Sequence, residues 1–191
     1  MIKATSFVNA CAQALMELSP ESRALLVFIP AESYLAAVLD GSFSDIEAQL
    51  EPRWNRLPHY GIQVLEKSTD LSPGERSAMS WLVEMLALDQ LSRHLPSRTM
   101  WLDFEQFLKT SPPDYCRVAE FFRLPSPAFL DEHYQLLHRY AKKPEVRYDL
   151  NVRRQLQAAS HHKHRDEINR GLSWLARYGP STLSQHHRAN A

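Results

Sequence analysis

The helix that begins at Ser72 constrains this chain more than any other feature of its sequence. Ser72-Pro73-Gly74-Glu75 is a capping box, because the serine hydroxyl can accept from the amide of Glu75 while the glutamate reaches back, and proline suits the first helical position. Apolar residues then recur at helical spacing up to Pro96: Met79, Leu82, Val83, Leu86 and Leu91. The pattern predicts a helix of roughly six turns with one face in the core.

Two short apolar segments lie on either side of this helix. Residues 24–29 form a continuous apolar run, which predicts a strand buried on both faces, and Pro30 ends it before a helix over 33–39. Residues 99–102 predict a second strand that leads into Asp103-Phe104-Glu105 and then into a helix starting at Pro112-Pro113. A strand that turns directly into a helix is half of a parallel α/β unit. We therefore expect a helix-rich α/β fold with a short parallel sheet covered by helices.

Four further segments have helical patterns. The first of them, near the start of the given sequence, has apolar positions that step by three and four. These positions include Cys11, which should therefore be packed. Two others are expected after Pro125, as far as Tyr140, and from Asn151 to Gly179, the latter as one long helix with Trp174 in the core. Between Gly41 and Ser72 the sequence predicts a short helix followed by a mobile or surface-lying stretch.

The corner after the second strand resembles the late part of the sulfotransferase family. In that family a strand ends in a Tyr-Glu-Asp-Leu-like corner, followed by an Asp-Pro loop and a helix that finishes in Phe-Leu-Gly-Leu-Pro. The matching residues are Phe104-Glu105-Gln106-Phe107, Ser111-Pro112 and Phe121-Phe122-Arg123-Leu124-Pro125. Gln106 replaces the second acid, and Arg123 replaces a glycine that would ease a left-handed helix end.

The resemblance extends to the C-terminal part of the chain. Residues 142–175 resemble the C-terminal segment of bacterial sulfotransferase-like proteins. The resemblance implies a partial P-loop sulfotransferase-like domain over residues 1–179, and residues 180–191 are expected to be a disordered tail because they lack apolar content. Members of the family transfer a sulfuryl group from 3′-phosphoadenylyl sulfate to an alcohol or an amine, so this donor is the cofactor that the resemblance implies.

The family's donor ligands are missing from the matching positions. In the family an arginine at the end of the strand and a serine eight positions later hold the 3′-phosphate of the donor. Aligned without gaps, these positions fall on Ile29 and Ala37, which cannot donate hydrogen bonds through their side chains. We therefore expect the chain to bind the donor poorly.

The start of the chain has the same deficit. Residues 3–6 resemble the Lys-Thr-His segment that follows the phosphate loop in the family, and the catalytic histidine falls on Ser6, whose hydroxyl cannot act as a general base. None of the five glycines lies in a loop between a clear strand and a clear helix, as a phosphate loop requires. We expect a chain that begins partway through the fold, or has degenerated, and is inactive alone; the alternative is a non-catalytic, helix-rich interaction protein.

Basic residues offer the remaining candidates for donor binding. Lys3 is one, and Arg53 and Arg56, which lie near His59 and Lys67, could meet an anionic ligand or an acceptor. The alternative interpretation of the last four residues is a solvated basic face, which the sequence favours.

The sequence does not predict a metal site or a disulfide. His161 and His164 share a helix face and could be joined by Glu167 or His138, but His161, His162 and His164 lie among charged residues, as in a solvated polar face. The two cysteines are far apart, with no second thiol near either. No metal is expected, and a reducing compartment is the simplest interpretation.

Charge and hydropathy limit the possible partners. Lys plus Arg and Asp plus Glu both number 22, so no overall field draws the chain to nucleic acid or to an anionic membrane. No segment approaches the ~20 apolar residues of a membrane helix and no signal segment follows Met1, so we expect a cytoplasmic protein. A sheet without its leading strands would expose an edge, which predicts a homo-oligomer.

Overall fold

The computed structural model of this protein describes residues 6–41, 43–110, 112–124, 139–140, 143–147 and 150–180. The strands are β1 (Ala24–Phe28), β2 (Thr99–Asp103), β3 (Arg139–Tyr140) and β4 (Lys143–Arg147). The helices are α1 (Ala12–Glu17), α2 (Ala31–Gly41), α3 (Phe43–Ala48), α4 (Leu50–Trp54), α5 (Pro73–His94), α6 (Phe104–Thr110), α7 (Pro112–Phe121), α8 (Leu150–Lys163) and α9 (Arg165–Tyr178). Short 3₁₀ helices span Ser6–Cys11, Leu57–Tyr60, Ser68–Asp70 and Pro96–Arg98.

Helix α5 forms where the sequence predicted it, but it is buried on more than the one face that was predicted. Its capping box is formed, with Ser72 Oγ accepting from the Glu75 amide at 3.3 Å and Glu75 Oε2 accepting from the Ser72 amide at 2.8 Å. All five apolar residues predicted to face the core are buried. Burial is continuous from Ser77 to Asp89, so other elements surround this part of α5 on all sides.

The two predicted strands are parallel neighbours. Ala24 pairs with Thr99 and Phe28 with Asp103, with α2 to α5 between them in the chain. Phe28 packs edge-on against Trp101, with the ring centroids 5.6 Å apart. The expectation of burial on both faces is wrong for β1, because Val27 is 49% exposed. Its side chain points away from the face of β1 that carries the buried Leu26 and Phe28, since side chains alternate along a strand.

In the first predicted helix, the residues that face the core are not all those that were predicted. Residues 6–11 form a 3₁₀ helix before α1 begins, and the tighter winding changes which side chains point inward. Met16 is buried, whereas Cys11 is exposed and Leu18 is 81% exposed. The prediction that Cys11 is packed is therefore wrong.

Several apolar residues between α2 and α5 pack against the core, although others in this part of the chain are exposed. Two short helices, α3 and α4, replace the single predicted helix. Leu57, Ile62 and Leu71 are buried and belong to the same apolar cluster as the middle of α5. The prediction of a mobile or surface-lying stretch is therefore wrong at these three residues. Their burial could not be predicted because three widely spaced apolar side chains show no helical or strand period.

Two predictions for the C-terminal part of the chain are also wrong. The long helix predicted from Asn151 is two helices, α8 and α9, which are separated at His164. Arg139–Tyr140 pairs antiparallel with β4 instead of ending a helix. The rest of that predicted helix, up to residue 138, lies outside the described residues, as do residues 181–191 of the predicted tail. Trp174 is 1% exposed, which confirms its place in the core.

Helices α5 and α9 approach closely at two glycines. A Cβ atom on Gly171 would lie 2.6 Å from the carbonyl oxygen of Gly74, and one on Gly74 would lie 1.8 Å from that of Glu167. Glu167 Oε2 also accepts from the Gly74 amide at 2.7 Å, which places a carboxylate at the positive end of the α5 dipole. Among the described helices, none is long and apolar enough to cross a bilayer.

Candidate functional site

The carboxyl ends of β1 and β2 are the first place to look for a site, because ligands of parallel α/β sheets bind there. Ile29 follows β1, and its carbonyl oxygen accepts from Trp81 Nε1 at 3.0 Å. Ala37 is exposed within α2. Ser6 begins the first 3₁₀ helix, but its side chain and the whole of Lys3 lie outside the described residues.

A polar cluster lies beside these strand ends, and Glu105 is its centre. Glu105 Oε1 accepts from Arg153 Nη2 at 3.0 Å, from Arg153 Nε at 3.3 Å and from Gln157 Nε2 at 2.7 Å. Ser33, in the first turn of α2, also hydrogen-bonds this carboxylate. The cluster therefore joins α6, α8 and α2 through one negative charge.

The cluster holds Glu105 in its ionised form. Burial raises the pKa of this carboxyl, but the hydrogen bonds from Ser33, Gln157 and Arg153, with the charge of Arg153, together lower the pKa below its ordinary value of 4.5. Arg153 is buried, and its guanidinium carbon lies 5.3 Å from the centroid of the Phe104 ring. This buried cation is thus matched by a carboxylate and by an aromatic face.

Asp103 positions Glu105 in the cluster. It is the last residue of β2, and its Oδ1 atom accepts from the amides of Glu105 at 2.8 Å and Gln106 at 3.2 Å. This is the N-cap arrangement that starts a helix. The strand therefore turns into α6 without a loop, and Glu105 lies in the first turn of the helix.

Arg53 and Arg56 belong to a second polar cluster, which lies against α5. Arg53 Nε lies 3.0 Å from Glu84 Oε1, and Arg56 Nη1 lies 3.3 Å from the same atom. Arg53 is 4% exposed and Glu84 is 8% exposed, so this part of the predicted basic face is not solvated. The carboxylate of Glu84 opposes the positive charges of Arg53 and Arg56. His59 and Lys67 are exposed.

Tyr34 lies in the field of the same charges. Burial raises its pKa to about 12; Arg53 lowers the value and Glu84 raises it. The phenol is therefore neutral at physiological pH, so Tyr34 does not serve as a phenolate base there.

The three histidines near the end of α8 do not converge. His161 Nδ1 lies 3.6 Å from Glu32, and His164 Nε2 lies 3.6 Å from Asp40, which also pairs with Lys163 at 2.9 Å. Within the part of the chain that the structure describes, no group of three or more His, Cys, Asp or Glu side chains is arranged to hold a metal ion.

Sequence reasoning missed Arg153 and Gln157. Both lie on α8, four positions apart, and therefore on one helix face. The sequence contained one indication of such partners, which was Glu105. A carboxylate that follows a buried strand needs a partner. Nothing local in the sequence says which of the chain's arginines supplies it.

Comparison with known proteins identifies no relative. No family model matches the chain, and no curated protein and no solved structure matches it.

Proposed function

We propose that this chain is a sulfotransferase-like protein that lacks donor chemistry and works by association with other protein chains. The observation that carries the proposal is the state of the strand ends. Ile29 and Ala37, at the family's 3′-phosphate positions, have hydrocarbon side chains. Arg153, the buried arginine near these ends, is bound to Glu105 within the chain. A phosphate arriving there would have to displace a carboxylate that also accepts from Gln157.

The second cluster supports the same proposal. Arg53 and Arg56 were two of the candidates for holding an anionic donor, and both lie against Glu84. Breaking a buried ion pair to free one partner costs several kcal/mol. A donor would have to offset that cost before it gained any affinity, so this cluster favours a structural role over donor binding.

Calorimetry with the desulfated donor, 3′-phosphoadenosine 5′-phosphate, tests the proposal on the full chain. We expect no heat of binding up to millimolar concentrations. The matched variant Ile29→Arg/Ala37→Ser restores the family's two side chains at the strand end and on α2, and should gain measurable affinity. Micromolar binding by the unaltered chain, or transfer of labelled sulfate to an alcohol, would overturn the proposal.

A further inference from the structure

Three side chains from α2 and α8 converge on the carboxylate of Glu105. Arg153 Nη2 and Gln157 Nε2 donate to the same oxygen atom, Oε1, at 3.0 Å and 2.7 Å. The Ser33 hydroxyl also hydrogen-bonds this carboxylate. We call Ser33, Arg153 and Gln157 the donor set. All three lie outside α6, the helix that carries Glu105, so the chain builds a carboxylate-binding arrangement from other elements.

Contacts that do not involve Glu105 fix the two helices of the donor set against each other. Ser160 Oγ of α8 donates to the carbonyl oxygen of Ala36 in α2 at 2.5 Å. One turn further along, Lys163 Nζ lies 2.9 Å from Asp40 Oδ1. The donor set is therefore held together whether or not the Glu105 side chain is present, which lowers the entropy cost of binding another carboxylate there.

Glu105 reaches the donor set through a side chain that can move independently of it. The residue lies in the first turn of α6, and two methylene groups separate its carboxylate from the backbone. The side chain is 20% exposed, so the site is not sealed from solvent. Rotation about the side-chain bonds takes the carboxylate away from Arg153 and leaves the donor set where it is.

We infer that the donor set is a binding site for a small carboxylate ligand and that Glu105 is its tethered occupant, which blocks entry. A guanidinium and two neutral donors suit a carboxylate, because hydrogen bonds to an ionised acceptor are strong. A group attached to the chain competes at a much higher effective concentration than a free ligand does. The unaltered chain should therefore bind free carboxylates weakly, and removal of the Glu105 carboxylate should open the site. This site is independent of the association with other chains proposed above.

Glu105→Ala in the full chain tests the inference, with acetate as the probe. The substitution removes the terminal methylene and carboxylate, and acetate has the size and charge of the group removed. At neutral pH, where acetate is ionised, it should raise the melting temperature of this variant in a saturable way, relative to chloride at equal ionic strength. Glu105→Ala/Gln157→Ala lacks one donor, so an NMR titration with labelled acetate should give an affinity about fivefold lower.

Glu105→Gln is the matched control, because glutamine keeps the side chain in place and leaves no space for acetate. Acetate should stabilise neither this variant nor the unaltered chain more than chloride does. If Glu105→Ala does not fold in chloride, recovery of its helical circular dichroism signal in acetate becomes the measurement.

Equal effects of acetate on Glu105→Ala and Glu105→Gln, or no effect on Glu105→Ala by either measurement, overturn the inference. Tighter binding of inorganic phosphate than of acetate to Glu105→Ala also overturns it, in favour of a phosphate site. None of these results alters the donor calorimetry on the unaltered chain, so the two proposals fail separately.

Discussion

The environment of Arg53 could not be predicted because its partner is distant in the chain. Beside Arg56 and near Lys67 it belongs to a stretch that predicts a solvated basic face, yet it is buried against Glu84 of α5. Sequence reasoning identified Arg53 as cationic but could not find its partner, because Glu84 lies on a different helix. Glu105 and Arg153 repeat the case, since the acidic corner was predicted and its partner was not.

Replacing Glu84 with glutamine should destabilise the protein strongly. Glutamine keeps the shape of the side chain but leaves Arg53 buried without an opposite charge, so we expect a loss of about 3–5 kcal/mol. Urea denaturation followed by tryptophan fluorescence measures the change.

Glu47→Gln is the control for this experiment. Glu47 also pairs with an arginine, Arg76, at 2.7 Å, but its side chain is 39% exposed, so we expect a loss of about 0–1 kcal/mol. A similar small loss in both variants would show that the pair of Arg53 and Glu84 is not desolvated in solution.

Protonation of Glu105 should make the protein less stable in acid. Its pKa is lower in the folded chain than its ordinary value of 4.5, so its contribution is present above that value and is lost as pH falls through the folded pKa. Glu105→Gln should therefore show a shallower fall in unfolding free energy as the pH is lowered below 4.5.

Gln157→Ala provides an independent check on the same carboxyl. It removes one hydrogen bond to Glu105, so the pKa should rise and the acid loss should begin at higher pH. An NMR titration of Glu105 reads this directly. Identical acid profiles for the unaltered chain and for Glu105→Gln would contradict the assigned role.

The helices and strands with clear patterns in the local sequence could be predicted. Those whose form depends on contacts with other parts of the chain could not. Helix α5 has a capping box and a regular apolar stripe, and β1 and β2 are short apolar runs limited by proline, so their existence and order could be predicted. The 3₁₀ helix Ser6–Cys11 and the break at His164 could not be predicted. Neither place has a proline or a glycine that would mark a change of helical form in the sequence.

Gly171→Ala should separate α5 from α9. A methyl group there would lie 2.6 Å from the carbonyl oxygen of Gly74, which is backbone and cannot rotate away, so we expect a loss of about 1–3 kcal/mol. Thermal denaturation followed by circular dichroism measures it.

Gly41→Ala is the matched substitution, because none of the described residues lies within 4 Å of an added Cβ atom at the end of α2. It should be neutral or slightly stabilising, since alanine reduces the freedom of the unfolded chain. Equal effects at Gly41 and Gly171 would contradict the close helix contact.

At the scale of the molecule, one face of the sheet formed by β1 and β2 is only partly covered by the described residues. Parallel sheets are normally covered on both faces, yet Val27, the fourth of the five residues of β1, is 49% exposed. We therefore expect copies of the chain to associate through this sheet, and the mass measured by light scattering should rise with concentration.

Val27→Lys should prevent this association, because a charged side chain would have to be buried between the two copies. The exposed Leu65, which is 92% accessible and belongs to neither strand, provides the control Leu65→Lys, which should associate as the unaltered chain does. A mass that stays monomeric at high concentration in the unaltered chain would exclude association through this face.

The pairing of Ala24 with Thr99 has a consequence for how quickly the native state forms. The two strands meet only after most of the intervening chain has been brought into a closed loop, whose entropic cost precedes any gain from the ladder. Refolding should accordingly show helical signal first and protection of the β1 and β2 amides from hydrogen exchange later. During synthesis the residues of β1 are made before those of β2, so they have no strand to pair with until β2 follows.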